Sequence, residues 1–115
     1  MSSDFTLPII EKTYQVYKQI TIINSKLDKT YRYGLGASCE QSILTLIELL
    51  FMASHAPKTM KGAYLLKSQA SVDILQLKLR LYLELKLANE TKLFQLQADL
   101  SEAGRMLGGW LKSVG

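Results

Sequence analysis

Apolar side chains recur every three or four residues along most of this chain, which is the spacing of amphipathic helices. No stretch alternates apolar and polar residues over a useful length, and proline occurs only at Pro8 and Pro57. The pattern therefore predicts an all-α protein. The helices are expected near residues 8–26, 35–54, 61–88 and 92–113.

The connections between these helices are short, which predicts how they are arranged. Pro8 suits the first turn of a helix, where its missing N–H costs nothing, and the segment "HAPK" at 55–58 stops the second helix. Short connections make successive helices antiparallel, so we expect one up-down-up-down four-helix bundle covering residues 1–115. The stripes expected to face its core are Ile9, Thr13, Val16, Ile20, Ile23 and Leu27 in the first helix, and Leu93, Leu96, Leu100, Ala103, Leu107, Trp110 and Val114 in the last.

The third helix is apolar on two sides. One stripe consists of Ala70, Ile74, Leu77, Leu81 and Leu85, and the other of Leu65, Val72, Leu75, Leu79, Tyr82 and Leu83. A bundle covers only one side, and a large apolar patch left over usually marks a protein interface. We therefore predict a homo-oligomer with Val72, Leu79 and Tyr82 in the contact. The alternative is a single wide stripe broadened by long side chains.

Three glycines interrupt the last helix, although glycine costs roughly 1 kcal/mol in a helix interior. Gly104 and Gly108 are four residues apart and share one side of the helix, where a missing side chain lets another backbone approach. Together with Trp110 they predict a tight helix contact. A leucine at Gly104 is then expected to destabilise the bundle by several kcal/mol.

The net charge of +4 is concentrated in one part of the chain. Between residues 58 and 92 there are seven basic side chains and three acidic ones, an excess able to attract phosphates. An ordinary solvated helix face is the alternative. The candidate nucleic-acid-binding residues are Arg80, Lys78, Lys58, Lys61, Lys29 and Arg32.

These cations are expected to bind RNA and single-stranded DNA weakly, with little sequence preference. Tyr31 and Tyr33 flank Arg32 and are able to stack on bases, although the same residues also suit a polar turn between helices. Arg80 has a second interpretation, because Glu84 follows it by one helical turn and suits a simple ion pair.

Catalytic chemistry is not expected. His55 lies where the second helix ends, and Cys39 lies on an apolar stripe with no histidine placed to activate it. One histidine and one cysteine do not make a recognisable metal site, so no metal or cofactor is predicted.

A cytoplasmic location without a membrane partner is expected. The single cysteine excludes an internal disulfide, and no basic leader with a short apolar run opens the sequence. The most apolar run, "ILTLIELLFMA" at 43–53, is interrupted by Glu48 and is shorter than the roughly 20 residues of a membrane span.

Four segments carry a resemblance to a known family: "LP" at 7–8, "KTYQVY" at 12–17, "RYGLG" at 32–36 and "EAGRMLGGWL" at 102–111. They resemble the small bacterial four-helix-bundle proteins that include Avd, the accessory variability determinant of diversity-generating retroelements. The family also includes relatives encoded by intervening sequences in ribosomal RNA genes.

The resemblance covers nearly the whole chain. It implies a barrel-shaped homopentamer with a basic surface, which associates with a reverse transcriptase and nucleic acid and is not an enzyme. The alternative that it leaves open is a structural or interaction oligomer of the intervening-sequence type, without a nucleic-acid role.

Overall fold

The computed structural model describes the backbone of residues 3–115 and the side chains of residues 8–115. Four long helices account for most of the described chain, and residues 3–115 contain no strand, which confirms the predicted all-α class. The helices are α1 (Ser3–Asn24), α2 (Ala37–His55), α3 (Lys58–Glu84) and α4 (Glu90–Val114).

The helices pack side by side around one apolar core. α1 packs against α2 and α4, and α3 packs against the same two helices from the other side. The stripes predicted for the first and last helices line this core from Ile9 to Leu27 and from Leu93 to Trp110. Among the large side chains, Trp110 and Tyr82 are almost completely buried. Such close-packed apolar burial is the main force that holds the four helices together.

The first helix starts earlier than predicted. It begins at Ser3, so Pro8 lies inside the helix and not in its first turn. The missing N–H of Pro8 removes one backbone hydrogen bond to the carbonyl four residues earlier, and the helix continues on both sides. The predicted boundary at residue 8 was wrong because a proline tolerated inside a helix looks the same in sequence as one that starts it.

The connection between α1 and α2, predicted as a turn at 27–34, is a turn only up to Asp28 and is helical from Lys29 onward. A short helix, Lys29–Tyr31, leads into a π-helical segment, Arg32–Gly36, which continues directly into α2. A Cβ atom on Gly36 would lie 3.1 Å from Cγ of Asn24 and 3.1 Å from the carbonyl oxygen of Tyr31. This close approach is the reason for glycine at the end of the wider π turn.

The third helix ends four residues earlier than predicted, at Glu84. The backbone N–H of Leu87 donates to the carbonyl of Tyr82 at 3.0 Å, and that of Lys86 donates to Leu83 at 3.1 Å. These two bonds form a Schellman cap, in which Lys86 takes a left-handed conformation with φ of 55°. No sequence signal marks this helix end, because glycine, the usual residue at such a position, is absent.

The glycines of α4 do not mediate the tight contact that their spacing predicted. A Cβ atom on Gly104 would lie 3.9 Å from Cγ1 of Val72, an ordinary van der Waals distance, and one on Gly108 would meet nothing within 4 Å. The glycines lie beside the buried stripe and not on it, so no backbone approaches them closely. The close backbone approach on which the expected effect of a leucine at Gly104 was based is therefore absent around this residue, and the effect itself stays a prediction.

Two glycine-to-alanine changes are expected to have opposite effects on stability. Gly108→Ala should raise the free energy of unfolding by about 0.5–1 kcal/mol, because alanine is the better helix former and the site has room. Gly36→Ala should lower it by about 1–3 kcal/mol, because the new methyl group overlaps Asn24 and Tyr31. Urea unfolding of both variants tests this, and a lower midpoint for Gly108→Ala would contradict the account of α4.

One helical stretch, Lys29–His55, is long and apolar enough by composition to cross a membrane. The core helix of a bundle passes the same test, and here the fully buried side chains Cys39, Ile43 and Leu46 pack into the core of the bundle. Length and composition therefore do not distinguish a membrane-spanning helix from a core helix of the bundle. The expected absence of a membrane partner stays a prediction.

Candidate interaction surfaces

The side of α3 that faces away from the core carries a continuous row of exposed apolar side chains, which we call the outer stripe. Its members lie three or four residues apart, so they share one side of the helix over most of its length. They are Leu66, Ala70, Ile74, Leu77, Leu81 and Leu85, and Leu77 is 64% exposed. The sequence therefore predicted correctly that α3 has two apolar sides, and the bundle covers only one of them.

The residues predicted to form the oligomer contact lie on the covered side. Val72, Leu79 and Tyr82 are 5%, 0% and 1% exposed and pack in the core of the protomer. The prediction that they form a surface contact was wrong. Helical periodicity separates two stripes but does not say which one the neighbouring helices cover, because that depends on how α3 is rotated against α2 and α4.

A groove of about 250 Å³ runs between α2 and α3 beside the outer stripe. Five of its seven lining residues carry a hydroxyl or amide side chain. The residues that line it are Ser38, Gln41, Ser42, Thr45, Ser71, Ile74 and Lys78. Because Ile74 belongs to both features, the groove and the outer stripe form one continuous surface.

Lys78 is held in place at this groove by oxygen atoms of α2. Its Nζ donates to the hydroxyls of Ser38 at 2.7 Å and Ser42 at 2.5 Å, and to the carbonyl of Ser38 at 3.2 Å. No carboxylate of the described residues lies within ion-pair distance of this ammonium group. Lys78 was predicted to bind nucleic acid, but within the protomer it joins α3 to α2.

Two other predicted cations bind backbone carbonyls near helix ends. Arg32 Nη2 donates to the carbonyls of Ser25 at 3.0 Å and Leu27 at 3.2 Å, in the turn that follows α1. Lys61 Nζ donates to two carbonyls in the last turn of α2, at 2.8 and 3.0 Å. Lys61 thus satisfies carbonyls that the end of α2 leaves without an intrahelical partner.

Arg80 forms the ion pair that its spacing suggested, since its Nε lies 3.0 Å from Oε2 of Glu84. Both side chains are more than half exposed, so this pair adds little to stability. Of the six candidate cations, Lys29 and Lys58 remain exposed, and no hydrogen bond or ion pair in the described part of the chain involves their side chains. The structure does not bring the six residues together into one site.

Two lysines outside the predicted set, Lys26 and Lys92, line one groove at the end of the bundle where α1 stops and α4 starts. This groove of about 170 Å³ is lined by Ile22, Ile23, Lys26, Leu87, Ala88, Asn89 and Lys92. Lys86 precedes the groove residue Leu87 in the connection between α3 and α4, and we call the exposed residues Lys26, Lys86 and Lys92 the basic end. The described residues hold no ion pair with any of the three. Lys26, Lys86 and Lys92 were not among the predicted site residues, although the predicted antiparallel topology would have placed their connections at the same end.

The basic end also contains the start of α4. The side chain of Asn89 caps this helix by accepting a hydrogen bond from the backbone N–H of Lys92 at 3.1 Å. A helix start carries a partial positive charge, which adds to the charge of the lysines.

A buried polar network lies near the same end and joins three helices. Tyr82 Oη donates to Oδ1 of Asn24 at 2.5 Å, and Asn24 Nδ2 donates to the carbonyl of Gly36 at 2.9 Å and to Glu40 at 2.8 Å. Burial raises the pKa of the Tyr82 phenol well above its usual range, so the hydroxyl keeps its proton. Burial likewise raises the pKa of the Cys39 thiol to about 11. Cys39 is thus a neutral core residue and not a reactive nucleophile.

A family model described as bAvd-like matches residues 7–114, which include nearly all of the four helices. No curated protein matches the chain.

Proposed function

The chain belongs to the bAvd-like family, and from this membership we propose that it is a non-enzymatic accessory protein of a diversity-generating retroelement. In this role it associates with the reverse transcriptase of the element in the cytoplasm and binds the template RNA and its cDNA. A reverse transcriptase gene with a template repeat beside the gene for this chain would support this role directly.

The assembly that we propose is a barrel of antiparallel bundles. The antiparallel arrangement is supported by the polar network, which joins Asn24 at the end of α1, Glu40 in the first turn of α2 and Tyr82 near the end of α3. Self-association, as a homopentamer by resemblance to Avd, is supported by the outer stripe, because soluble proteins rarely leave such a row of apolar side chains uncovered.

The observation that carries the nucleic-acid part of the proposal is the basic end. Lys26, Lys86 and Lys92 are exposed, are not neutralised by ion pairs among the described residues, and lie next to a helix start. A phosphate backbone needs several such cations close together, and an oligomer repeats the set in every protomer. Binding through phosphates gives little sequence preference.

A second candidate function is an interaction oligomer without a nucleic-acid role. It is favoured by one specific observation: Arg32, Lys61, Lys78 and Arg80 are engaged in bonds within the protomer. Side chains that serve the bundle in this way have fewer donors left for phosphates.

The triple variant Lys26→Ala, Lys86→Ala and Lys92→Ala is expected to bind RNA and single-stranded DNA at least tenfold more weakly at low salt than the unmodified protein. The loss of three phosphate contacts should also reduce the slope of log affinity against log salt concentration by about two. Each contact with a single strand contributes about 0.7 to this slope. Fluorescence anisotropy across a salt series measures both effects.

The matched control removes the same charge elsewhere, through Lys18→Ala, Lys67→Ala and Lys112→Ala, which are exposed on α1, α3 and α4. If both triple variants weaken binding equally, only the overall charge matters and the basic end is not a site. If neither variant nor the unmodified protein binds with a dependence on salt, the interaction-oligomer function is the correct one.

A further inference from the structure

Lys78 is a positive charge at the edge of an apolar surface, and none of the described residues places a carboxylate within ion-pair distance of it. Lys78 is half-buried, and the outer-stripe residues Ile74, Leu77 and Leu81 lie within about one turn of it along α3. When a partner covers the outer stripe, water is removed from Lys78 as well. An ammonium group that loses water without gaining an opposite charge opposes the association.

We propose that the surface formed by the outer stripe and the α2–α3 groove is covered by a second copy of this chain, and that Lys78 receives a carboxylate from that copy. This inference rests on the self-association proposed above and adds the side chain that fixes how the copies meet. A charged pair inside an apolar contact contributes to specificity, because any other register leaves the ammonium without a partner.

The groove is built to present Lys78 to an anion. The Ser38 and Ser42 hydroxyl oxygens accept from the ammonium, and each hydroxyl keeps its own O–H as a donor. A carboxylate in the groove is able to accept from the ammonium and a hydroxyl together. The longest of the three bonds, at 3.2 Å to the Ser38 carbonyl, is the one that such a carboxylate would replace.

The surroundings favour a carboxylate of a protein over the phosphates of a nucleic acid. Next to Lys78 lies an open groove of about 510 Å³, whose lining includes Leu77, Leu81 and the Arg80–Glu84 ion pair. Arg80 is paired with Glu84 there, which leaves Lys78 as the unpaired cation among the residues that line this groove. A nucleic-acid strand needs a series of cations, whereas one ammonium among leucines matches a single acidic side chain in an apolar contact.

The length of the surface favours a second copy as the partner. The outer stripe extends from Leu66 to Leu85, which is about 28 Å at 1.5 Å per residue. The longest dimension of the protomer is 44 Å. The stripe therefore spans about two thirds of the molecule, an extent that a partner of the same size covers, and copies of one chain are the usual partners in soluble oligomers.

The test is Lys78→Met, which keeps an apolar stem of similar length and removes the charge. We expect the dissociation constant of the assembly, measured by sedimentation equilibrium, to rise at least tenfold. The unmodified assembly should weaken as salt rises, and that of Lys78→Met should weaken much less. Lys18→Met, on the exposed side of α1, is the matched control and should leave both quantities unchanged.

The outcomes separate this inference from the proposed function. A monomeric unmodified protein would refute self-association, and this inference with it. An assembly that Leu77→Glu dissociates but that Lys78→Met leaves unchanged would overturn the role of Lys78 alone.

Loss of RNA affinity in Lys78→Met with an intact assembly would assign Lys78 to phosphates instead. Rescue of a dissociated Lys78→Glu variant by changing one exposed acidic residue to lysine would identify the carboxylate.

Discussion

Leu77→Glu is expected to convert the oligomer into a folded monomer. Leu77 is the most exposed residue of the outer stripe, at 64%, and it lies near the middle of the surface proposed to be covered. A carboxylate buried there loses its hydration, which costs several kcal/mol per copy and is repeated at every contact of the assembly. Light scattering coupled to size exclusion measures the mass, and circular dichroism checks that the helices remain.

The matched control for this change is Phe94→Glu. Phe94 is 55% exposed on α4, a large apolar side chain of similar exposure that lies outside the outer stripe. Phe94→Glu should leave the mass of the assembly unchanged. Equal dissociation by both changes would mean that the oligomer depends on general surface hydrophobicity, and an intact Leu77→Glu assembly would place the contact on another face.

Asn24→Ala is expected to lower the free energy of unfolding by about 2–4 kcal/mol, because buried polar groups that lose their partners are costly. Asn24 is 2% exposed and bonds to Tyr82, Gly36 and Glu40, which belong to three different segments. The change leaves the Tyr82 hydroxyl and the Gly36 carbonyl without the amide that now satisfies them. Urea unfolding monitored by circular dichroism gives the value.

Tyr82→Phe provides the control through a double-mutant cycle. In the unmodified protein this change breaks the bond to Asn24, whereas in the Asn24→Ala background that bond is already lost. Tyr82→Phe should therefore lower the free energy of unfolding by less in the Asn24→Ala background than in the unmodified protein. Additive effects would show that the network does not act as a unit.

The outer stripe and the basic end involve different residues, so assembly and nucleic-acid binding can be tested separately. The outer stripe lies on α3, whereas the lysines of the basic end lie around the start of α4. Loss of nucleic-acid binding in Leu77→Glu, with the basic end intact, would therefore measure how much of the affinity comes from repeating the site in an oligomer.

The sequence by itself determined the helices and most of the core. The three- and four-residue spacing from Val16 to Ile23 and from Leu93 to Trp110 correctly predicted which sides of α1 and α4 are buried. Such spacing is a local property, because successive side chains of a helix are about 100° apart whatever surrounds it. The two apolar sides of α3 were found for the same reason, and so was the Arg80–Glu84 pair.

Only the tertiary structure decided which contacts those faces make. Lys78 bonds to Ser38 across 40 positions of sequence, and Gly36 packs against Asn24 of another helix, so no local pattern reveals either contact. Because local patterns do not show contacts between helices, Val72 was assigned to the surface and Gly104 was expected to pack tightly. The rotation of each helix about its axis is set by the fit of all four helices together, and it fixes which stripe is buried and which cations remain free.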